Sequence, residues 1–150
     1  MSLLDDLPAG AVVGIDSAVF IYFIEEHPRY EPVVSGLFEE RLERGENQAI
    51  TSVVTLAEVL VQPKRDERDD LAQEYRDFLT QGSSLLLVDI TRPLAERGAA
   101  LRAKHTIRLP DALQLAAALE HGATHFVTND TRLRKVMELR VLVLEDYVQP

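Results

Sequence analysis

Residues 109–130 read LPDALQLAAALEHGATHFVTND, and this stretch decides the fold class. Ala112 to Leu119 is an Ala/Leu-rich run of strong helix formers, and Gly122 follows as a cap. Thr124 to Val127 is then a short, continuously apolar strand that ends at Asn129-Asp130. A helix that returns through glycine into such a strand is half of a βαβ unit, and its strand belongs in a parallel sheet covered on both faces.

The same alternation extends in both directions. Upstream, Ala11 to Ile15 forms a strand closed by Asp16, and Ser17 to Glu26 a helix with Val19, Phe20, Phe23 and Ile24 on one stripe, stopped by His27-Pro28. Tyr30 to Arg44 predicts one amphipathic helix ending at Gly45, and Gln48 to Thr51 a second strand. Val53 to Val61 is apolar nearly all round, a loop is expected at Pro63-Lys64-Arg65-Asp66, and a charged helix runs from about Asp66 to Thr80. Leu85 to Val88 gives a third strand and Arg92 to His105 a helix. Beyond Asp130, a short helix to Met137 precedes a fifth strand at Val141 to Leu144. The expected fold is therefore α/β: a three-layer α/β/α sandwich with a five-stranded, mainly parallel sheet. It is expected to form a single domain over residues 1–150, with its core at about 11–145.

Composition narrows the function. The 150 residues are 46% hydrophobic with 7 Gly and 7 Pro, which excludes a disordered or collagenous chain. Zero Cys removes disulfides, zinc-thiolate sites and thiol nucleophiles. No apolar run approaches the roughly 20 residues of a membrane span, and the start MSLLDDLPAG is acidic, so a soluble cytoplasmic protein without membrane contact is expected. Sixteen Lys and Arg against 25 Asp and Glu leave a formal charge of −9, which disfavours diffuse nucleic-acid binding. Any role on nucleic acid must rest on a local arrangement.

Acidic residues beyond the carboxyl ends of parallel strands carry the most information, because ligands of open α/β sheets bind there. Asp16 ends strand one, Asp130 ends strand four, Glu58 lies one turn into the helix after strand two, and Asp111 opens the helix before strand four. Asp16-Ser17 and Asn129-Asp130 are also ordinary helix caps, and Asp111 suits the positive end of a helix dipole. Glu58 either points outward from a nearly buried helix or is held inside, and no Lys or Arg lies within four residues to pair with it. Four carboxylates meeting at ~4 Å would repel by roughly 4 kcal/mol per pair at an effective dielectric near 20. A divalent cation relieves that repulsion, and an all-oxygen donor set selects Mg²⁺ or Mn²⁺.

The ordered set Val13-Gly14-Ile15-Asp16-Ser17, Thr55-Leu56-Ala57-Glu58-Val59, Leu109-Pro110-Asp111-Ala112, Leu115 to Leu119, and Phe126 to Asp130 resembles the PIN-domain nucleases, most closely the VapC-type toxins of toxin–antitoxin pairs. The resemblance spans residues 11 to 145. It implies a metal-dependent endoribonuclease in which Asp16, Glu58, Asp111 and Asp130 are the metal-binding and catalytic quartet, with Thr128 as the accompanying hydroxyl; we assign Asp16 and Asp111 as direct ligands, with Glu58 and Asp130 completing the shell partly through water. It further implies RNA as substrate, a cognate antitoxin as partner, and a homodimer. Ala18 departs from the family, many members of which carry Asn there.

Arg132, Arg134 and Lys135 follow Asp130 directly and are candidate contacts for an RNA backbone, although basic runs are usually solvated faces. His121 and His125 are four apart, but Gly122 breaks the helix that would align them, so they are not read as a metal pair. Tyr22, Phe23, Tyr30 and Phe38 look exposed, and periodicity favours the core for Phe23 and Phe38. Aspartyl-phosphate phosphatases want a second Asp at position 18, which is Ala, and receiver modules want a Lys after strand five, where Leu144-Glu145-Asp146 has none. The remaining alternative is a catalytically silent RNA- or protein-binding module.

Overall fold

The computed structural model describes residues 1–150. Five strands, β1 (Val12–Ile15), β2 (Gln48–Ser52), β3 (Leu85–Val88), β4 (His125–Thr128) and β5 (Arg140–Val143), form one sheet in the order β3-β2-β1-β4-β5. Every pairing is parallel. Helices α1 (Ser17–Ile24), α2 (Glu31–Gly36), α3 (Val53–Arg65) and α4 (Asp69–Gln81) cover one face, packed through Val13, Ile15, Phe20, Leu37 and Tyr75. Helices α5 (Arg92–His105) and α6 (Leu109–Glu120) cover the other, through Ile50, Leu101, Leu115, Ala116 and Phe126.

The middle of the sheet is tightest where α6 crosses β1. A Cβ built on Gly14 would stand 2.6 Å from both Ala118 Cβ and Phe126 Cδ1, so only glycine admits this approach. The small side chains Ala116, Ala117 and Ala118, all buried, bring α6 down onto the strands. Residue 111 is thereby fixed beside the end of β1.

Several element boundaries differ from expectation. Helix α3 runs through Pro63 to Arg65: the proline removes one ladder hydrogen bond, to Val59, but its ring is buried and the helix continues for two residues beyond it. The turn comes instead at Glu67, whose φ of 54° is left-handed, and α4 starts at Asp69 rather than Asp66. Helix α6 starts at Leu109, earlier than Ala112, with Pro110 in its first turn, where a missing N–H costs nothing. The stretch 30–44 is not one regular helix: α2 passes into a π-helical segment, Leu37–Leu42. After Asp130 the chain makes a 3₁₀ turn, Thr131–Lys135. Leu3, Leu7 and Tyr147 are buried and join the core from outside residues 11–145. Phe20, Phe23, Phe38 and Phe78 form an aromatic cluster, which places Phe23 and Phe38 against the core. No helix is long and apolar enough to cross a membrane.

Candidate active site

With β1 flanked by β2 and β4, the connections leave β1 and β4 toward opposite faces, and a crevice opens beyond their carboxyl ends. Asp16 leaves β1 as the N-cap of α1. One carboxylate oxygen, Oδ1, accepts from the Ser17 N–H at 2.8 Å, and Oδ2 accepts from Thr128 Oγ1 at 2.7 Å. Thr128, fully buried at the end of β4, also accepts the Asp130 N–H at 3.1 Å. Asp130 caps the 3₁₀ turn: Oδ1 accepts from Arg132 N and Nε at 2.9 and 3.0 Å, and Oδ2 from Arg132 Nη2 at 2.7 Å. Asp111, 7% exposed, takes Arg108 Nε at 3.2 Å. Glu58 is exposed, which settles its orientation outward, and its Oε1 accepts from Ser17 Oγ at 3.1 Å.

All four carboxylates line one cleft of about 330 Å³, together with Ser17 and Arg108. Asp16 feels this most. Burial pushes its carboxyl up to about 6, and the neighbouring charges of Asp111 and Glu58 add to the rise against the opposing hydrogen bonds from Thr128 and Ser17. Asp130 goes the other way, held below the usual carboxylate range by Arg132.

A buried polar network lies under the cleft and joins the elements that carry these acids. Thr51 Oγ1 donates to Ile15 O at 3.0 Å, next to Asp16, and shares a 2.7 Å hydrogen bond with Thr55 Oγ1. Gln114 on α6 donates to Thr55 on α3 and accepts from Ser52 Oγ at 2.6 Å. Thr55 lies one turn before Glu58 and Gln114 one turn after Asp111, so β1, β2, α3 and α6 are tied in register. No buried side-chain nitrogen or oxygen lacks a partner.

The donor set, carboxylate oxygens that include a carboxyl destabilised chiefly by burial and further by its charged neighbours, fits a hard divalent cation. In the present arrangement no three of these side chains converge within metal-binding distance, and Arg108 and Arg132 engage two of the four carboxylates. Of the basic run, Arg132 stands at the cleft. Arg134 turns away to Asp146 at 2.7 and 2.8 Å, and Lys135 reaches Thr106 O at 3.3 Å. Ser17, Arg108 and Gln114 were not singled out by sequence. Gln114 gave a signal, a lone amide in an otherwise apolar helix, whereas Arg108 became relevant only once α6 proved to begin at Leu109. His121 and His125 do not pair: His121 Nδ1 bonds Ala117 O, and His125 Nδ1 bonds Thr124 Oγ1.

Among solved structures, the chain resembles VapBC2 from Rickettsia felis, at TM-score 0.65 and 19% identity over 88% of this chain and 98% of that one. A toxin–antitoxin complex from Klebsiella pneumoniae matches at TM-score 0.65 and 24% identity over 90% and 98%. VapC20 of Mycobacterium tuberculosis, described as a sarcin-ricin loop cleaving toxin, matches at TM-score 0.63 and 13% identity over 77% and 87%. Comparison with curated proteins gives no match. The PIN domain family model matches residues 13–139, a span that contains all four cleft carboxylates and all of the sheet except Val12 and strand β5. The chain belongs to the PIN-domain family.

Proposed function

We propose that this protein is a divalent-metal-dependent endoribonuclease, the toxin of a toxin–antitoxin pair, acting in the cytoplasm. The observation that carries this reading is the meeting of Asp16, Glu58, Asp111 and Asp130, from four distant points of the chain, in one cleft where Asp16 is hard to ionise. Membership of the PIN family and the fold shared with toxin–antitoxin complexes support it. Asp16 and Asp111 would hold Mg²⁺ or Mn²⁺ directly, with Glu58 and Asp130 completing the shell partly through water. Such an ion supplies charge neutralisation at a scissile phosphate and acidifies water.

The chain's own groups do the rest. Thr128 and the Ser17 amide fix both oxygens of Asp16 and so aim its free lone pairs into the cleft. Glu58, exposed and held only through Ser17 Oγ, is the carboxylate best placed to take a proton from attacking water. An antitoxin partner rests on the complexes that share this fold, and a homodimer on the fold likeness alone.

The test is incubation of antitoxin-free protein with RNA and Mn²⁺ or Mg²⁺, with and without chelator, beside Asp16→Asn. Cleavage by the wild-type protein that chelator and Asp16→Asn both abolish is the expected result. RNA left intact under every condition would overturn the nuclease reading in favour of a silent binding module.

A further inference from the structure

We propose that Arg108 and Arg132 are RNA-phosphate ligands held in reserve, paired with Asp111 and Asp130 until a divalent cation takes those carboxylates. This rests on the metal-dependent nuclease reading above. Among the ion-paired basic side chains, only these two have cleft carboxylates as partners. The others pair with acids elsewhere, as Arg29 does with Glu145, Arg97 with Glu120, Arg134 with Asp146 and Arg140 with Asp6. Both guanidinium groups stand on one rim, where Arg108, Asp111 and Arg132 line a shared recess beside the cleft.

The pairs are built to exchange. The side chains of Arg108 and Arg132 are 62% and 64% exposed, while the side chains of their partners are 10% and 19% exposed, so the arginine ends are the freer halves. An ion pair that open to water is weak, so displacing either arginine should lower cation affinity at most about fivefold. A divalent ion on Asp111 and Asp130 would lie beside two guanidinium groups of like charge and repel them. The displaced groups keep their place on the rim, because Arg132 lies within the 3₁₀ turn, its own N–H bonded to Asp130, and Arg108 precedes the first turn of α6. A planar guanidinium released there matches a phosphate oxygen pair as well as it matched the carboxylate. Cation and RNA would thus bind cooperatively through the arginines as well as through direct contact.

The experiment compares wild-type protein with the double variants Arg108→Gln/Arg132→Gln and Arg108→Lys/Arg132→Lys. Mn²⁺ affinity is measured by calorimetry without RNA. Affinity for a fluorescein-labelled single-stranded oligoribonucleotide is measured by anisotropy in Mn²⁺ across a salt series, with RNA integrity checked on gels. The Gln pair should bind Mn²⁺ equally or up to about 25-fold more tightly, about fivefold for each ion pair removed. Its slope of log affinity against log salt should be shallower by about 1.4, two phosphate contacts at about 0.7 each. The Lys pair should recover most of that slope, and Arg134→Gln, on the same 3₁₀ turn, should change neither quantity. Weaker Mn²⁺ binding by the Gln pair would show that the arginines build the cation site, and an unchanged slope would show that they do not touch phosphate. Either result overturns the proposal, as does wild-type protein that binds no RNA. Should the Gln pair fold poorly, the single variants Arg108→Gln and Arg132→Gln decide, each expected to make the slope shallower by about 0.7. Neither arm requires cleavage, so RNA that stays intact refutes the nuclease reading while the exchange is still judged by these two numbers.

Discussion

Replacing Asp16 by Asn should stabilise the metal-free protein. In the folded chain its carboxyl is raised from 3.8 to about 6, chiefly by burial and then by the charges of Asp111 and Glu58. At pH 7 that rise corresponds to about 3 kcal/mol of destabilisation by the ionised group. Asn retains an oxygen for the Ser17 N–H but presents an amide to Thr128, whose hydroxyl loses its acceptor at a cost of about 1 kcal/mol. The net gain is about 2 kcal/mol, or about 4–8 °C in melting temperature for a chain of this size. The sign reverses with pH. A raised carboxyl contributes stability while protonated, below about 3.8, and loses it as pH climbs to about 6, so the variant's advantage must vanish near pH 4. Differential scanning calorimetry in chelator at pH 7.5 and pH 4 measures both, and Mg²⁺ added at pH 7.5 should raise the wild-type melting temperature more than the variant's. A lower melting temperature for Asp16→Asn at pH 7.5 without metal would mean that its charge serves as a helix cap, and the repulsion argument would fail.

Asp111→Asn removes a charge that presses on Asp16 and should also raise the metal-free melting temperature, but by less than Asp16→Asn, because it breaks the pair with Arg108; calorimetry of the two side by side tests the order. Gln114→Leu strips Thr55 and Ser52 of their buried partner and should cost about 1–3 kcal/mol, read from urea midpoints at unchanged m-value, with weaker Mn²⁺ binding as α3 and α6 lose register. Gly14→Ala drives a methyl into Ala118 and Phe126 and should cost about 1–3 kcal/mol or more on the same assay; a neutral result would mean that α6 can lift from the sheet freely.

What could be read from sequence was whatever depends on burial. The strands announced themselves as apolar runs because both faces of the sheet are covered, and Asp16 and Asp130 stood out as the charges that end such runs. What could not be read depends on local backbone geometry. Pro63 gave a breaker signal although the helix continues two residues beyond it, while the real stop, Glu67 in the left-handed region, is a residue type that gives none. The π-helical segment at Leu37–Leu42 departs from the 3.6-residue period on which the expectation of a single helix rested. The basic run after Asp130 splits for a similar reason. Three residues per turn put Arg132 and Lys135 on one side of the 3₁₀ turn and Arg134 on the other, against Asp146.

Net charge misleads for this chain because it averages over surfaces that do not interact. Arg29, Arg68, Arg97, Arg134 and Arg140 are each matched to an acid at the surface, and such pairs are screened over about 10 Å at ordinary salt. A phosphate approaching the cleft therefore meets the local groups and not the total of −9. Those local groups are four carboxylates and two guanidinium groups, two charges negative when all are ionised, and Asp16 already resists ionising there. One divalent cation would bring the cleft to neutrality and, by releasing Arg108 and Arg132 from their carboxylates as proposed, would turn the rim that faces the solvent positive. On this arithmetic an acidic protein can bind an anionic polymer only when the ion is present, so metal dependence would belong to substrate capture as much as to bond cleavage.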